Sequence, residues 1–467
     1  MSGTEYDVVV IGGGPAGYAA GIKAAQLGAK TALVEKDEVG GTCLNRGCIP
    51  TKALLKTAEV IHEIAGASKR GIKIANPEVS VDMPRVIKEK NKVVKTLTGG
   101  VASLLAANGV DLIKGEGRLL TPNRIAVSGQ PEIGAKKVIL AGGSQVARLP
   151  IPGLELPGVL SSTEILDIQE VPPRLVIIGG GVIGVEMAMI FQSFGSKVSI
   201  VEAAPRIMPF MDADVAALVR QILKSRGAEI ITGLGLSKIE KKGAELSLVL
   251  ENGAVLAADK VLVSIGRTGD LSAVGDLQIK TEKGKIVADD YMETSVPGVF
   301  APGDVNGKKM LAHAAFKMAE VAVFNAVRGA GAAKQKADLR FVPSVVYSFP
   351  EAAAVGLTQE EAEKEGPVAL GMFPLSYNGK ALTADSAEGF VKILADTRYG
   401  KILGVHIVGP GAAEIINEAA ALMAMEITVH ELADIIHGHP TVSEALMEAA
   451  ADSLGRCIHI PPKKKPG

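Results

Sequence analysis

The stretch "YDVVVIGGGPAG", residues 6–17, decides the fold of the first part of this 467-residue chain. A run of β-branched residues without polar alternation is typical of a strand buried on both faces, as in a parallel sheet. Gly12, Gly14 and Gly17 follow in G-x-G-x-x-G spacing, then an Ala-rich helical stretch, then the strand "TALVE" ending at Glu35. This pattern predicts a βαβ unit whose helix N-terminus faces a dinucleotide pyrophosphate and whose acid accepts from ribose hydroxyls.

The stretch "RLVIIGGGVIG", residues 174–184, repeats the pattern. Its glycines are Gly179, Gly181 and Gly184, and "VSIVE" ends at Glu202, at the same offset from the last glycine as Glu35. One such motif is weak evidence, because a tight structural turn gives the same glycines. Two motifs, each between strands and each followed by an acid, predict two doubly wound, Rossmann-like α/β domains that bind two dinucleotides.

The acid of the second motif indicates which coenzyme binds there. A carboxylate at Glu202 favours a free ribose 2′-hydroxyl and repels a 2′-phosphate, so NAD is preferred over NADP. Arg206 lies shortly after this acid, and its positive charge weakens the argument for NAD. As a lone arginine, we interpret it as a surface residue rather than a 2′-phosphate clamp.

Changes in composition along the chain predict the domain boundaries. The Pro- and Gly-rich segment "ARLPIPGLELPG" separates the two glycine units, and from about residue 340 the strands "GFVKILAD" and "KILGVHIVG" alternate with Ala/Met/Glu helices. We predict a first dinucleotide domain, a second one, a central domain that completes the first cofactor site, and an α+β interface domain. Their predicted bounds are 1–148, 149–270, 271–339 and 340–467.

Composition excludes several classes of function. Fifty basic and fifty-one acidic residues give a net charge of −1, which argues against a broad binding surface for nucleic acid or anionic lipid. The most apolar run, "RLVIIGGGVIGVEMAMIF", contains glycines and a glutamate and is too short for a membrane span. Three cysteines and a start without a signal-like segment predict a reducing, cytoplasmic setting.

The stretch "GGTCLNRGCIP", residues 40–50, holds Cys43 and Cys48. Zinc needs about four ligands, and the one nearby histidine is His62, so we expect no metal site. A structural disulfide is disfavoured by the reducing compartment and by the short loop that it would close. Two interpretations of Cys43 and Cys48 remain, a redox couple and a pair of ordinary thiols. A helix predicted to begin just after Cys48 favours thiolate and hence the redox couple.

The segment "GGTCLNRGCIPTKALL" closely resembles the redox-disulfide segment of the flavin-dependent disulfide reductases, and within them of the dihydrolipoyl dehydrogenases, which belong to the class I pyridine nucleotide-disulfide oxidoreductases. The resemblance extends along nearly the whole chain, through both glycine motifs, "TSVPGVFAPGDV", "MLAHAA", "VVYSFPEAAAVGLT" and "HGHPTVSEAL". It implies FAD in the first dinucleotide domain and NAD in the second.

The resemblance also implies which residues border the cofactors. The first glycine unit with Glu35 would hold the ADP part of FAD, and Asp304 of "APGD" would bind its ribitol. Lys52 would lie near the reactive edge of the flavin, paired with Glu186. In the second domain, Glu202 would bind the NAD ribose beside Gly266. Further residues implied to border FAD are Gly115, Gly142, Gly143, Ser144, Met310, Leu311, Ala312 and His313.

The implied chemistry is the oxidation of protein-bound dihydrolipoamide by NAD+. Cys43 would exchange with substrate, Cys48 would lie nearer the flavin, and His439, held by Glu444, would be the acid–base. From the residues alone, Thr441 and Glu444 also match the T-x-x-E pattern of a helix capping box, and capping is the more common role for a glutamate in that position. An imidazole suits the task because thiol deprotonation near neutral pH needs a base that titrates there.

In the family the histidine comes from the second subunit, so the resemblance implies an obligatory homodimer. The implied partners are lipoyl domains or a lipoyl carrier protein of the 2-oxo acid dehydrogenase or glycine cleavage complexes, and no nucleic acid or membrane. Arg46 departs from the family in standing where a small apolar residue is common, and either approaches the cysteine pair or points to solvent. Cys457 is interpreted as an inert thiol.

Rival members of the family lack support in the sequence. Mercuric reductase would need a vicinal cysteine pair near the C-terminus, where only Cys457 stands, and glutathione reductase would need basic residues in place of Glu202. Soluble transhydrogenases lack the complete cysteine pair. A non-enzymatic flavoprotein scaffold, from a different class of function, is disfavoured because Lys52, His439 and Glu444 are all in place.

Overall fold

The computed structural model describes residues 5–75, 78–243, 245–328 and 333–461. The first domain contains a parallel sheet flanked by helices, which continues into an antiparallel edge. Its strands are β1 (Glu5–Ile11), β2 (Thr31–Glu35), β3 (Asp111–Lys114), β4 (Gly117–Thr121), β5 (Arg124–Val127), β6 (Ile133–Leu140) and β7 (Ser144–Val146). Its helices are α1 (Pro15–Gln26), α2 (Gly41–Arg46), α3 (Cys48–Gly66) and α4 (Met83–Ala107).

The order of the first sheet is β3-β2-β1-β6-β5-β4, with β1 parallel to both β2 and β6. Strand β1 is nearly fully buried because its two neighbours and the flanking helices cover it, as the unalternating sequence predicts. The chain leaves β1 at the glycine turn and enters α1 directly. The carboxyl ends of β1, β2 and β6 therefore meet at one edge, where dinucleotides bind in such sheets.

The second domain repeats this architecture in a five-stranded parallel sheet of order β11-β10-β9-β15-β8. The five strands of this sheet are β8 (Val159–Ser161), β9 (Arg174–Ile178), β10 (Lys197–Glu202), β11 (Glu229–Thr232) and β15 (Lys260–Val263). A separate antiparallel sheet contains β12 (Leu236–Lys242), β13 (Glu245–Leu250) and β14 (Val255–Ala258), and β16 (Arg267–Gly269) pairs with β7 of the first domain. The helices of the second domain are α5 (Val182–Ser193) and α6 (Ala213–Ser225). The apolar run that includes α5 is buried strand and helix, and no described helix is long and apolar enough to cross a membrane.

The segment after the second domain returns to the first one. It contains β17 (Thr281–Glu282), β18 (Lys285–Ile286), β19 (Val299–Phe300) and α7 (Ala312–Val327). Strand β19 pairs with β6, and α7 shares a buried cluster with α1. The segment thus adds a parallel strand to the first sheet beside β6. The predicted central domain, 271–339, stays a prediction.

The last domain is an antiparallel sheet of order β20-β21-β24-β23-β22 with helices packed against it. Its strands are β20 (Ser344–Val346), β21 (Glu351–Gly356), β22 (Val368–Pro374), β23 (Phe390–Asp396) and β24 (Ile402–Gly409). Its helices are α8 (Gln359–Glu365), α9 (Gly379–Thr383), α10 (Ala412–Ala424), α11 (Val429–Asp434) and α12 (Glu444–Ser453). The predicted fold class, two Rossmann-like domains and an α+β domain, is confirmed.

A buried ion pair joins the second domain to the last one. Lys392 of β23 donates from Nζ to Asp212 Oδ1 at 2.8 Å, and both side chains are 1% exposed. Asp212 also caps the N-terminus of α6 and accepts from the Gln359 backbone N–H of α8 at 3.0 Å. His406 lies beside the pair on β24, and its burial lowers its pKa. These contacts fix the second domain against the sheet of the last one.

Replacing Lys392 by methionine tests this junction. The substitution leaves Asp212 buried without its cation, so we expect the free energy of unfolding to fall by about 3–5 kcal/mol, measured by urea denaturation. Lys364→Met on the exposed side of α8 is the matched control and should change little. Equal stability of the two variants would contradict the assigned role of the pair.

Candidate functional site

The two cysteines lie on consecutive helices at the carboxyl edge of the first sheet. Cys43 is inside α2, and Cys48 is the first residue of α3, so the helix predicted to follow Cys48 begins at it. Gly47 separates the helices, and a Cβ there would lie 2.9 Å from the Thr42 carbonyl oxygen. Cys48 is more exposed than Cys43.

The two thiols differ in acidity because they contact each other. The hydrogen bond from Cys43 lowers the pKa of Cys48 to about 7, and the positive charge of Lys52 acts in the same direction. The same contact, together with burial, raises the pKa of Cys43. The dithiol therefore carries its negative charge on Cys48, with Cys43 as the proton donor to it.

Lys52 lies one helical turn after Cys48, and its half-buried side chain forms an ion pair with the buried Glu186 of α5. Its Nζ is 2.9 and 3.0 Å from the two carboxylate oxygens of Glu186, whose side chain is only 5% exposed. The Tyr347 backbone N–H donates to the same carboxylate at 3.0 Å, and the Lys52 ammonium lies 4.3 Å from the centre of the Tyr347 ring. The expected pairing of Lys52 with Glu186 is therefore present.

The first glycine turn has the geometry of a pyrophosphate cradle. Gly12 has φ +101°. A Cβ at Gly17 would lie 1.7 Å from the Gly12 carbonyl oxygen, so α1 can pack this closely against the end of β1 only because residue 17 is a glycine. Gly14 caps α1 and would place a Cβ no closer than 3.8 Å to the nearest protein atom, which leaves room for a phosphate. Glu35 accepts the Gly13 backbone N–H at 2.6 Å.

A cavity of about 390 Å³ lies beside Glu35. Val39, Ala102 and Leu112 form its apolar part, and Lys114 is among its polar groups. Gly115 adjoins it, because its N–H donates to the Glu35 carbonyl at 3.0 Å. The cavity volume, the apolar walls and the carboxylate fit the adenosine end of a dinucleotide.

The "AGGS" turn and Asp304 meet at the other end of this edge. Ser144 Oγ donates to Asp304 Oδ2 at 2.7 Å and accepts from Arg267 Nε at 2.8 Å. The chain leaves β6 at this turn, where Gly143 has φ +74° and a Cβ on Gly142 would lie 3.0 Å from the Asp270 carbonyl oxygen. An acid and a hydroxyl fit the polar ribitol chain of a flavin.

The residues of "MLAH" border the same edge from the N-terminus of α7. Leu311 caps the helix, Ala312 is its first residue, and Met310 precedes it. His313 Nε2 lies 2.9 Å from the Pro343 carbonyl oxygen, so this imidazole also links α7 to the start of the last domain. Gly303, next to Asp304, approaches α1, since a Cβ there would lie 2.9 Å from the Ala16 Cβ.

The second glycine turn repeats the first in detail. Gly179 has φ +104°, and a Cβ at Gly184 would lie 2.0 Å from the Gly179 carbonyl oxygen. Glu202 accepts the backbone N–H groups of Gly180 and Ala204, both at 2.7 Å. Gly181 caps α5 with open space around it, and Gly266, at φ +110°, has open space as well. The second edge therefore fits a second dinucleotide.

Beyond the last sheet, His439 and Glu444 form a pair at the N-terminus of α12. His439 Nδ1 lies 2.9 Å from Glu444 Oε1, and the imidazole is 77% exposed. Glu444 Oε2 accepts the Thr441 N–H at 2.8 Å, but the Thr441 hydroxyl donates to the Gly438 carbonyl. The capping box is therefore wrong as a description of this site, because α12 begins at Glu444 itself.

The structure also shows where Arg46 and Cys457 lie and whether side chains are grouped as metal ligands. Arg46 pairs with Asp37 rather than with the cysteines. The Cys457 thiol donates to Glu448 at 2.8 Å, and burial raises its pKa to about 11, which agrees with an inert thiol. Within the described ranges, no group of three or more His, Cys, Asp or Glu side chains could hold a metal ion.

Sequence reasoning missed Arg267 and Tyr347. Arg267 follows Gly266 in "SIGR", and its guanidinium binds the Ser144 carbonyl at 2.6 Å, which orders the "AGGS" turn. Its position directly after Gly266 is a signal that the sequence does contain. Tyr347 contributes a backbone N–H, and a backbone donor leaves no signal in the sequence.

Comparison with known proteins places the chain in a family. Residues 6–319 match the model described as pyridine nucleotide-disulphide oxidoreductase, and residues 342–450 match the dimerisation domain of that name. The chain is 44% identical to dihydrolipoyl dehydrogenase of Thermus scotoductus over 97% of this chain and 99% of that one. For dihydrolipoyl dehydrogenase of Bacillus subtilis these values are 41%, 98% and 100%. The solved HOCl-induced flavoprotein disulfide reductase of Escherichia coli, at 30% identity, superposes with a TM-score of 0.86 over 96% of this chain and 99% of that one.

The acidity of Cys48 can be tested by alkylation of the reduced protein in a Cys457→Ala background. Iodoacetamide should modify Cys48 with a midpoint near pH 7, since its pKa is about 7 and the thiolate forms above it. Cys43→Ala removes the largest cause of the shift, so the midpoint should rise toward the ordinary thiol value. An unchanged midpoint in Cys43→Ala would contradict the contact between the thiols.

Proposed function

Because the chain belongs to the pyridine nucleotide-disulphide oxidoreductase family, we propose that it oxidises protein-bound dihydrolipoyl groups and reduces NAD+ to NADH, with FAD as its bound cofactor. The observation that carries this function is the polarised dithiol of Cys43 and Cys48 beside the Lys52–Glu186 pair. Two dinucleotide cradles flank it on consecutive domains. A thiol substrate would donate an electron pair to the cysteine pair, and NAD+ would accept that pair.

The first cradle would hold FAD and the second NAD. Gly12, Gly14 and Gly17 would face the flavin dinucleotide pyrophosphate, Glu35 its adenosine ribose, and the Ser144–Asp304 pair its ribitol. Gly179, Gly181 and Gly184 with Glu202 would hold NAD. Bound FAD supplies the two-electron relay between the dithiol and NAD+.

The sulfur chemistry follows from the order of acidities. In the oxidised enzyme, a dihydrolipoyl thiolate attacks Cys43 Sγ, the Cys43–Cys48 bond breaks, and Cys48 leaves as the thiolate. The second dihydrolipoyl sulfur then attacks the first one, which closes the lipoyl disulfide and releases Cys43. The electron pair now resides in the dithiol, and its transfer to NAD+ restores the Cys43–Cys48 disulfide. Cys48 suits the leaving role because its pKa is the lower of the two.

His439 would take the substrate proton. An imidazole titrates near neutral pH, and the hydrogen bond between Nδ1 and Glu444 leaves Nε2 as the free position for a substrate thiol. Glu444 also accepts from the Thr441 backbone, so the carboxylate is held in place while it orients the ring. These are the roles we assign to the pair.

We propose that the enzyme is a homodimer in which the second chain supplies His439 to this chain's cysteines. The match of residues 342–450 to a dimerisation domain supports this, as does the exposure of Ile436 and Ile458, at 95% and 82%, in the segments on either side of α12. We further propose that its partners are lipoyl domains or lipoyl carrier proteins of 2-oxo acid dehydrogenase or glycine cleavage complexes, and that it acts in the cytoplasm.

A kinetic assay tests the function. The parent protein should form NADH from dihydrolipoamide and NAD+, and His439→Gln should lower kcat roughly 10²- to 10⁴-fold because the general base is lost. His430→Gln, an exposed histidine of the same domain, is the matched control. NADH oxidation by an artificial electron acceptor should persist in His439→Gln, since it does not require substrate deprotonation.

Absence of NAD+-dependent dihydrolipoamide oxidation by the parent protein would contradict the proposed function. Reduction of glutathione disulfide by NADPH would redirect it to another member of the family. Full activity of His439→Gln would leave the reaction in place but remove the role given to His439.

A further inference from the structure

The loop after Glu202 folds back over the second glycine turn. The Met208 N–H donates to the Gly180 carbonyl at 2.8 Å, and a Cβ on Gly180 would lie 2.7 Å from Ile207. Arg206, next to Ile207, is the only basic residue between Glu202 and α6. The loop therefore places one cation at the rim of the site that would hold the adenosine ribose of the coenzyme.

The Arg206 side chain is partly exposed but is held by an ion pair. Its guanidinium forms a two-point ion pair with Glu360 of α8, with N–O distances of 2.6 and 2.9 Å. The ion pair lowers the pKa of Glu360, so this carboxylate is charged at neutral pH. The buried carboxylate of Asp212, which pairs with Lys392, adds a second negative charge near Arg206.

We propose that Glu360 is a positioning residue that sets coenzyme choice by holding Arg206. A 2′-phosphate on the adenosine ribose needs a cation, and a planar guanidinium is the preferred partner of phosphate. Glu360 accepts from both Nη groups of Arg206, so this end of the guanidinium is not free to bind a phosphate. Together with Glu202, it disfavours NADP. The inference rests on the proposed use of NAD, and it locates part of that choice in the last domain of the chain.

The size of the effect follows from the exposure of the pair. The Arg206 and Glu360 side chains are 32% and 55% exposed, so solvent screens the interaction. Loss of such a pair changes affinities by about fivefold at most. Glu202 remains in place, so NAD+ should stay the better coenzyme.

The test compares Glu360→Gln with the parent holoenzyme. The ratio of kcat/KM for NADP+ to that for NAD+ should rise about fivefold. Binding of adenosine 2′,5′-bisphosphate, measured by calorimetry against adenosine 5′-monophosphate, should tighten by a similar factor without turnover. Adding Arg206→Ala to Glu360→Gln should abolish both gains, because the freed cation is removed.

Glu363→Gln is the matched control, since it removes the same charge from the same helix at a position that pairs with Gln359 instead. An equal gain in Glu363→Gln, or a gain that survives Arg206→Ala, would overturn the inference. Failure of the parent protein to use NAD+ would contradict the proposed function instead, and the bisphosphate titration would still decide the role of Glu360.

Discussion

The candidate site depends on the buried carboxylate of Glu186. A carboxylate at this depth is costly unless its oxygens are paired, and here Lys52 and the Tyr347 backbone supply the donors. The three groups come from α3, α5 and the end of β20, so one carboxylate joins parts of the first, second and last domains. Because Lys52 lies one turn after Cys48 on the same helix face, the pair also fixes where the dithiol lies.

The two glycine turns show how one local constraint can recur in two domains. In each, a first glycine with φ near +100° accepts the close approach of the last glycine, and the acid at the end of the next strand closes the turn through a backbone N–H. The surroundings then differ. The first turn lies against Gly41 at the start of α2 and against Ala141 of the "AGGS" turn. The second turn is covered by the loop after Glu202, which Arg206 and Asp212 anchor to the last domain.

Local signals predicted much of this molecule from the sequence. Both glycine motifs, the strands that end at Glu35 and Glu202, and the helix after Cys48 follow from spacing and hydrophobic pattern within short windows. The roles of Lys52, Asp304 and His439 came from resemblance to a family, because nothing local distinguishes them from solvated side chains.

Contacts between distant segments could not be predicted in this way. The partners Asp212 and Lys392, Arg206 and Glu360, and Arg46 and Asp37 depend on how the domains and loops meet, and side-chain charge alone does not specify a partner. The capping box failed for a related reason. The glutamate that the pattern assigns to the helix turn also binds an imidazole, and the helix begins later than the pattern requires.

The thiols and the imidazole lie on different domains, and the imidazole is largely exposed in the single chain. We therefore regard each chain as carrying two half-sites, which a second copy completes. Mixing inactive Cys48→Ser and His439→Gln chains tests this most directly, after subunit exchange and with dihydrolipoamide and NAD+ as substrates. Heterodimers then contain one site with both residues intact, so activity should recover to about a quarter of the parent value for random pairing. No recovery in a mixture shown to contain heterodimers would contradict the shared site.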